Sequence, residues 1–150
     1  MLLNPDGLIF VGQRIDSVDS AWQMPQGGID ETELPIDAAI RELKEETGTS
    51  KIKVIAELSE WLSYELPHSL AKKLWDGRYL GQKQKWFAMR FLGDDSDIDI
   101  NTKNPEFKAW KWIEAKHLAD IAVPFKRQIY AKLAKDLAPK AVKANKQADD

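Results

Sequence analysis

The chain has 150 residues, 43% hydrophobic and 31% charged, with a net charge of −2, as in an ordinary soluble domain long enough to bury a core unaided. It contains no cysteine, which excludes disulfide scaffolds, zinc–thiolate sites and thiol nucleophiles. No run approaches the roughly 18 apolar residues of a membrane span and no basic-then-apolar leader opens the chain, so a single-domain cytoplasmic protein is expected.

In chain order, "MLL" reads as the end of a strand. The turn signal "NPDG" follows, then a strand in "LIFVGQR" (8–14). A glycine-rich loop, "WQMPQGGID", leads into a helix from about Pro35 to Thr47. Proline suits its first turn, and Gly48 suits the position just past its end. Strands are expected in "KVIAEL" (53–58), "EWLSYEL" (60–66), "QKWFAMRFL" (84–92) and "FKAWKWIE" (107–114). Residues 69–80 read as a short helix or an insertion, and 94–105 as a polar loop. "AKHLADI" and "FKRQIYAKLAKDLA" (125–138) read as helices. The domain is expected to span 1–138, and the polar tail 139–150 is expected to fray. Strands outnumber helices without regular βαβ spacing, which predicts a mixed α/β or α+β sandwich.

Charge is unevenly spread. Residues 30–46 hold seven acids against two bases, 71–90 six bases against one acid, and 124–147 seven bases against one acid. An acidic centre between basic segments suits a metal ion plus a polyanion, although lysines also serve simply to solvate helix faces. On the helix, Ile36, Ala39, Ile40 and Leu43 form an apolar stripe, while Glu42, Glu45 and Glu46 share an adjoining arc of roughly 100°. Three like charges so placed repel by about 0.2–0.5 kcal/mol per pair. Arg41 can reach Glu45 at i+4, and a hard divalent cation such as Mg²⁺ would relieve more. Alone, that face could be merely solvated. Gly27 and Gly28 just upstream let the backbone approach a ligand closely, and the combination points to a phosphate–metal site.

These residues carry a resemblance. Gly27, Glu33, Arg41, Glu42, Leu43, Glu45, Glu46 and Gly48 reproduce the spacing of the Nudix box, with Thr49 where an aliphatic residue is usual. The flanks "WQMPQGGI", "WLSYELP", "GQKQKWF", "PEFKAWKW" and "PFKR" resemble the bacterial RNA pyrophosphohydrolase subfamily and the closely similar dinucleoside polyphosphate hydrolases, from about Leu8 to Leu137. In that subfamily the chain usually starts several residues earlier, so the first strand is expected to be truncated.

The resemblance implies a Nudix fold, an α/β/α sandwich around a mixed sheet. It implies hydrolysis of 5′-triphosphate RNA to 5′-monophosphate RNA and pyrophosphate, or alternatively of diadenosine tetraphosphate, with two or more Mg²⁺ or Mn²⁺ ions. By carry-over, Glu42, Glu45, Glu46 and Glu106 are expected as metal ligands, one serving as base, with the Gly27 backbone beside them. Arg14, Lys83 and Lys85 are expected to contact phosphates or a base. Tyr64 and Phe125, with Val123 and Lys126, are expected to form a base pocket. Each of these has a plainer alternative: a strand-end charge, a solvated edge, or core packing. Ala21 stands where some RNA-processing members carry serine. A non-catalytic nucleotide-binding module is the remote alternative. The basic C-terminal helix is a candidate docking surface for a protein partner, and no feature of the sequence specifies an oligomeric state.

Overall fold

The structure, a computed structural model, describes residues 1–16, 20–67 and 81–147. The short helix or insertion expected at 69–80 lies outside the described residues. Five strands form the central mixed sheet: β1 (Leu2–Leu3), β2 (Ile9–Arg14), β3 (Ile52–Glu57), β6 (Phe87–Phe91) and β7 (Phe107–Ile113). Their order is β3-β6-β1-β2-β7. β1 runs parallel to β6 and the other neighbours are antiparallel. β4 (Leu62–Glu65) and β5 (Gly81–Gln84) form a separate two-stranded ribbon.

Strand alternation divides the core into two layers. Leu2, Phe10, Phe87 and Met89 face one side, with Leu43 of α1 (Pro35–Thr47). Leu3, Ile9, Val11 and Ala88 face the other. There they meet α2 (Leu118–Ile121), α3 (Arg127–Asp136) and α4 (Ala138–Gln147), supplying Leu118, Ile129, Tyr130, Leu133 and Ala141. The mixed sheet with helices on both faces is the expected α/β/α sandwich.

α1 has the predicted bounds, and Ile36, Ala39, Ile40 and Leu43 form its sheet-facing stripe. Gly48 ends it at φ 76°, its N–H donating to the Lys44 carbonyl at 2.8 Å. A Cβ there would lie 2.7 Å from the Asp99 carbonyl oxygen, so conformation and space both require glycine. Thr49 is 3% exposed and its hydroxyl accepts from the Lys51 N–H at 3.1 Å. The polar residue at an aliphatic position is thus buried with a partner.

Two expectations need correction. The strand expected over 84–92 starts only at Phe87, and its first residue, Gln84, ends a strand of the other sheet. β5 ends at Gln84 and β6 begins at Phe87, and the link is pinned by side chains: the Trp86 indole donates to Gln84 Oε1 at 2.9 Å, and the Lys85 ammonium donates to the Leu58 carbonyl. The tail expected to fray is α4 through Gln147. It packs on β1, β3 and β6. Its buried face is Ala138, Ala141 and Asn145, and the Asn145 amide donates to the Asn4 carbonyl at 2.9 Å. Alanines and one asparagine are weak hydrophobic signals, which is why the segment reads as polar.

Truncation after Leu137 uncovers Leu137, which is 0% exposed, and strips helix from three strands. The expected result is a fall in Tm of at least about 4 °C, the response of a chain this long to roughly 1–2 kcal/mol. An unchanged melting curve would show that α4 contributes nothing to stability.

Candidate active site

β1 covers β2 only near Ile9. Further along the same edge Gln23 takes its place, and Gly12 and Gln23 exchange two backbone hydrogen bonds of 2.8 Å. The next residue is fixed too, because the Met24 N–H donates to the buried Tyr130 hydroxyl at 2.8 Å. The glycine loop therefore leaves the sheet from an anchored point and crosses the α1 helix. There a Cβ on Gly27 would lie 1.9 Å from the Glu42 carboxyl carbon. No side chain fits between loop and carboxylate. A Cβ on Gly28 would meet nothing within 4 Å; what that residue contributes is its carbonyl.

Arg41 locks loop to helix. Its Nε and Nη2 fork the Glu33 carboxylate at 2.8 and 2.9 Å. Nη2 also donates to the Gly28 carbonyl and Nη1 to Glu42 Oε1, each at 2.9 Å. The expected contact to Glu45 is longer, at 3.4 Å. Hydrogen bonds from Arg41 and from the Asp30 N–H hold the Glu33 carboxyl down at about 2.

Beside this lock lies a cleft of about 700 Å³. Glu42, Glu46 and Glu106 line it together with Arg14, Lys83 and Lys85. Glu46 is 4% exposed and its Oε2 has no hydrogen-bond partner. Burial, and then the charges of Glu42 and Glu106, push its carboxyl up to about 9, against the pull of the Gln26 N–H and Arg14. Burial also raises Glu42, although its Arg41 hydrogen bond opposes the shift. Glu106 arrives by a different route. The register of β2 and β7 slips at Gln13/Arg14, so Arg14 faces Phe107. The extra residue turns the strand end, leaving the Glu106 carboxylate 3.9 Å from Arg14. Glu45 is 59% exposed and does not line the cleft.

Among the described residues no ready-made group of three metal-holding side chains exists. The donors nevertheless fit a hard divalent cation: an orphaned buried carboxylate oxygen, two further carboxylates close enough to raise its affinity for protons, and a glycine backbone laid against one of them. Glu42, Glu46 and Glu106 are thus brought together, and Glu45 stands at the margin.

The other expected site residues divide. Arg14 lines the cleft but forks Asp16 with two 2.8 Å hydrogen bonds. Lys83 is exposed on β5. Lys85 lies beyond the end of β5, where its ammonium holds the Leu58 and Ser59 carbonyls and approaches Glu57 at 3.3 Å. The two lysines therefore do not share a strand face. Tyr64 and Phe125 meet at 5.6 Å between centroids, leaving no room for a base between them in this state. Lys126 is 8% exposed, with Val123 opening the short turn that carries it, and its ammonium donates to Gln26 Oε1 at 3.1 Å. Gln26 and Gln84 line the cleft in front of it and were not singled out in the sequence. Gln26 stands next to Gly27 and Gln84 next to Lys85 in "GQKQKW", but position alone does not mark an amide as a site residue.

Residues 1–133 match the model of the NUDIX domain. The chain is similar to the RNA pyrophosphohydrolase of Roseobacter denitrificans, 55% identical over 87% of this chain and 82% of that one. It is similar to that of Sphingopyxis alaskensis, 52% identical over 93% and 89%. Among solved structures, the E. coli dihydroneopterin triphosphate pyrophosphohydrolase covers 90% of this chain and 91% of its own, with a TM-score of 0.67 and 21% identity. A C. elegans Ap4A hydrolase covers 92% and 95%, with a TM-score of 0.61 and 19% identity. At those identities the two structures share the fold.

Between its ordinary value and about 9, the folded chain keeps a proton on Glu46 that the unfolded chain releases. Without metal, stability therefore falls as pH rises across that window. In chelator near pH 8, Glu46→Gln is expected to raise Tm by about 4 °C and to flatten the pH dependence. Mg²⁺ should raise the Tm of the parent protein by more than it raises that of the variant. A variant less stable than the parent at pH 8 would show that the buried carboxylate is not an uncompensated burden.

Proposed function

The chain belongs to the NUDIX family, and we propose that it acts as an RNA pyrophosphohydrolase, converting 5′-triphosphate RNA and water to 5′-monophosphate RNA and pyrophosphate. The observation that carries the choice of substrate is the likeness to RNA pyrophosphohydrolases at 52–55% identity over most of the chain. The box supports the chemistry: it departs only at Thr49, and every carboxylate it requires is present.

In this reading Glu42, Glu46 and Glu106, with Glu45 at the margin and the Gly27 carbonyl from the loop, would hold two or more Mg²⁺ or Mn²⁺ ions. Such ions would neutralise the phosphate chain and make an attacking water available at neutral pH. One of the glutamates would accept the proton of the attacking water. Arg41 keeps Glu42 oriented, while Gly27 keeps loop and carboxylate in contact. Arg14, Lys83 and Lys85 act on the phosphates as charges along the cleft, Arg14 once it exchanges Asp16 for substrate. Tyr64, Phe125 and Val123 offer the first nucleotide an apolar surface; a base stacked there is worth about 1–3 kcal/mol. Among the described residues no helix is long and apolar enough to cross a membrane, and the absence of cysteine suits the cytoplasm, where such RNA would be met. The lysines of α3 and α4 remain the proposed face for a protein partner.

The test offers a short 5′-triphosphate RNA and diadenosine tetraphosphate in parallel with Mg²⁺. Faster release of pyrophosphate from the RNA is expected, with Glu46→Gln lowering kcat by on the order of 10²–10³, the equivalent of several kcal/mol of lost charge stabilisation. Faster cleavage of the dinucleotide would move the assignment to nucleotide hydrolysis at the same site. Cleavage of neither would leave a binding module.

A further inference from the structure

Lys126 is a buried ammonium. It is 8% exposed, and among the described residues no carboxylate lies within ion-pair distance. Its hydrogen bond goes to a neutral amide oxygen, Gln26 Oε1, at 3.1 Å. Burial, and then repulsion from Arg14, bring its affinity for the proton down to about 8, with Glu46 pulling the other way. Leaving a charge in such surroundings is costly unless something compensates it.

The amide that holds it is itself held, and its direction is determined. An indole N–H can only donate. The Trp86 indole donates to Gln84 Oε1 at 2.9 Å, so the other end of that amide must be its NH₂. Gln84 Nε2 donates to Gln26 Oε1 at 3.2 Å, the same atom that accepts from Lys126. Beyond them the Tyr64 hydroxyl donates to Gln82 Oε1 at 2.7 Å, and the Gln26 side chain opposes the rise that burial gives the Tyr64 hydroxyl's proton affinity. The chain Trp86–Gln84–Gln26 therefore has one polarity. Neither amide can turn over without setting donor against donor. The Gln26 backbone N–H also opposes the rise in the proton affinity of Glu46. One residue of the glycine loop thus acts on the carboxylate cluster through its main chain and holds the buried cation through its side chain.

We propose that Gln26 is a positioning residue, which with Gln84 and Trp86 holds the Lys126 ammonium directly behind the cleft wall so that its charge acts on the phosphate chain of the substrate. This rests on the pyrophosphohydrolase reading. Lys126 and Arg14 are two cations brought near each other from opposite ends of the chain, and a polyphosphate in the cleft is the anion that both would serve. The neutral amide holds the ammonium in place without neutralising it, as a carboxylate would. A glutamate in place of Gln26 would keep the acceptor and cancel the charge.

The test is a double-mutant cycle with Gln26→Met, Lys126→Met and the pair. Inorganic tripolyphosphate serves as the binding probe with Mg²⁺ present throughout, and turnover of triphosphate RNA as the second readout. Gln26→Met is expected to weaken tripolyphosphate binding about tenfold and raise KM similarly, with kcat within about twofold. In the Lys126→Met background the same substitution should change nothing. The Trp86 indole N–H resonance should shift in Gln26→Met while Tm holds. Additive effects of the two substitutions, or tripolyphosphate binding equal in all four proteins or absent from the parent, would overturn the proposal. Absence of RNA turnover in the parent, with the tripolyphosphate cycle still coupled, would instead remove the pyrophosphohydrolase reading and keep the positioning role.

Discussion

The site depends on one guanidinium. Arg41 touches both loop and helix: Glu33 and the Gly28 carbonyl on one side, Glu42 on the other. A single exposed ion pair contributes about 1 kcal/mol or less. A bidentate fork that also satisfies a carbonyl is a different device, because its geometry admits one arrangement of loop against helix. Lysine could supply the charge but not the fork. With that arrangement fixed, Gly27 has to be glycine, since the Glu42 carboxylate occupies the place of its side chain.

The fold supplies the remaining carboxylates from independent elements. Glu42 and Glu46 are one helical turn apart on α1, whose apolar stripe sets its roll on the sheet. Glu106 comes from the start of β7, turned by an irregularity in pairing with β2. Phe107 shows the effect of that irregularity. It faces the same core layer as Trp110, three residues on, which regular alternation would forbid. Its ring fills the space beside Gly12, where a Cβ would lie 2.5 Å from it. The bulge, the glycine and the buried ring are therefore one feature, and together they aim Glu106.

What could be read from the sequence follows the strength of the local signal. α1 was legible to the residue because proline, an apolar stripe and a terminal glycine all agree. The carboxylates were legible because their spacing is fixed by the helix. α4 was not, since its contacts are made by Ala138, Ala141 and Asn145, and small or polar residues give no periodic signal. The break between β5 and β6 was hidden because "QKWFAMRFL" is apolar enough to be one strand; side-chain anchors of Lys85 and Trp86 decide it. The glutamines were invisible for a related reason. An amide has no preferred partner until the fold places a one-way donor such as Trp86 at the end of the row.

The unpaired oxygen of Glu46 ties these parts to function. Most buried polar groups find partners within the fold, so an orphan in the most buried carboxylate of a cleft marks where the protein alone is incomplete. More donors around Glu46 would have stabilised the free protein and reduced its demand for a cation. Only the Gln26 backbone N–H and the charge of Arg14 lower its proton affinity, against burial and the like charges of Glu42 and Glu106. The balance raises the carboxyl's affinity for its proton. In the function proposed above, cation binding would release that proton, which would couple affinity to pH and make the occupied site the more stable one. A surface carboxylate such as Glu45 could bind a cation at less cost, and for the same reason would orient it less firmly.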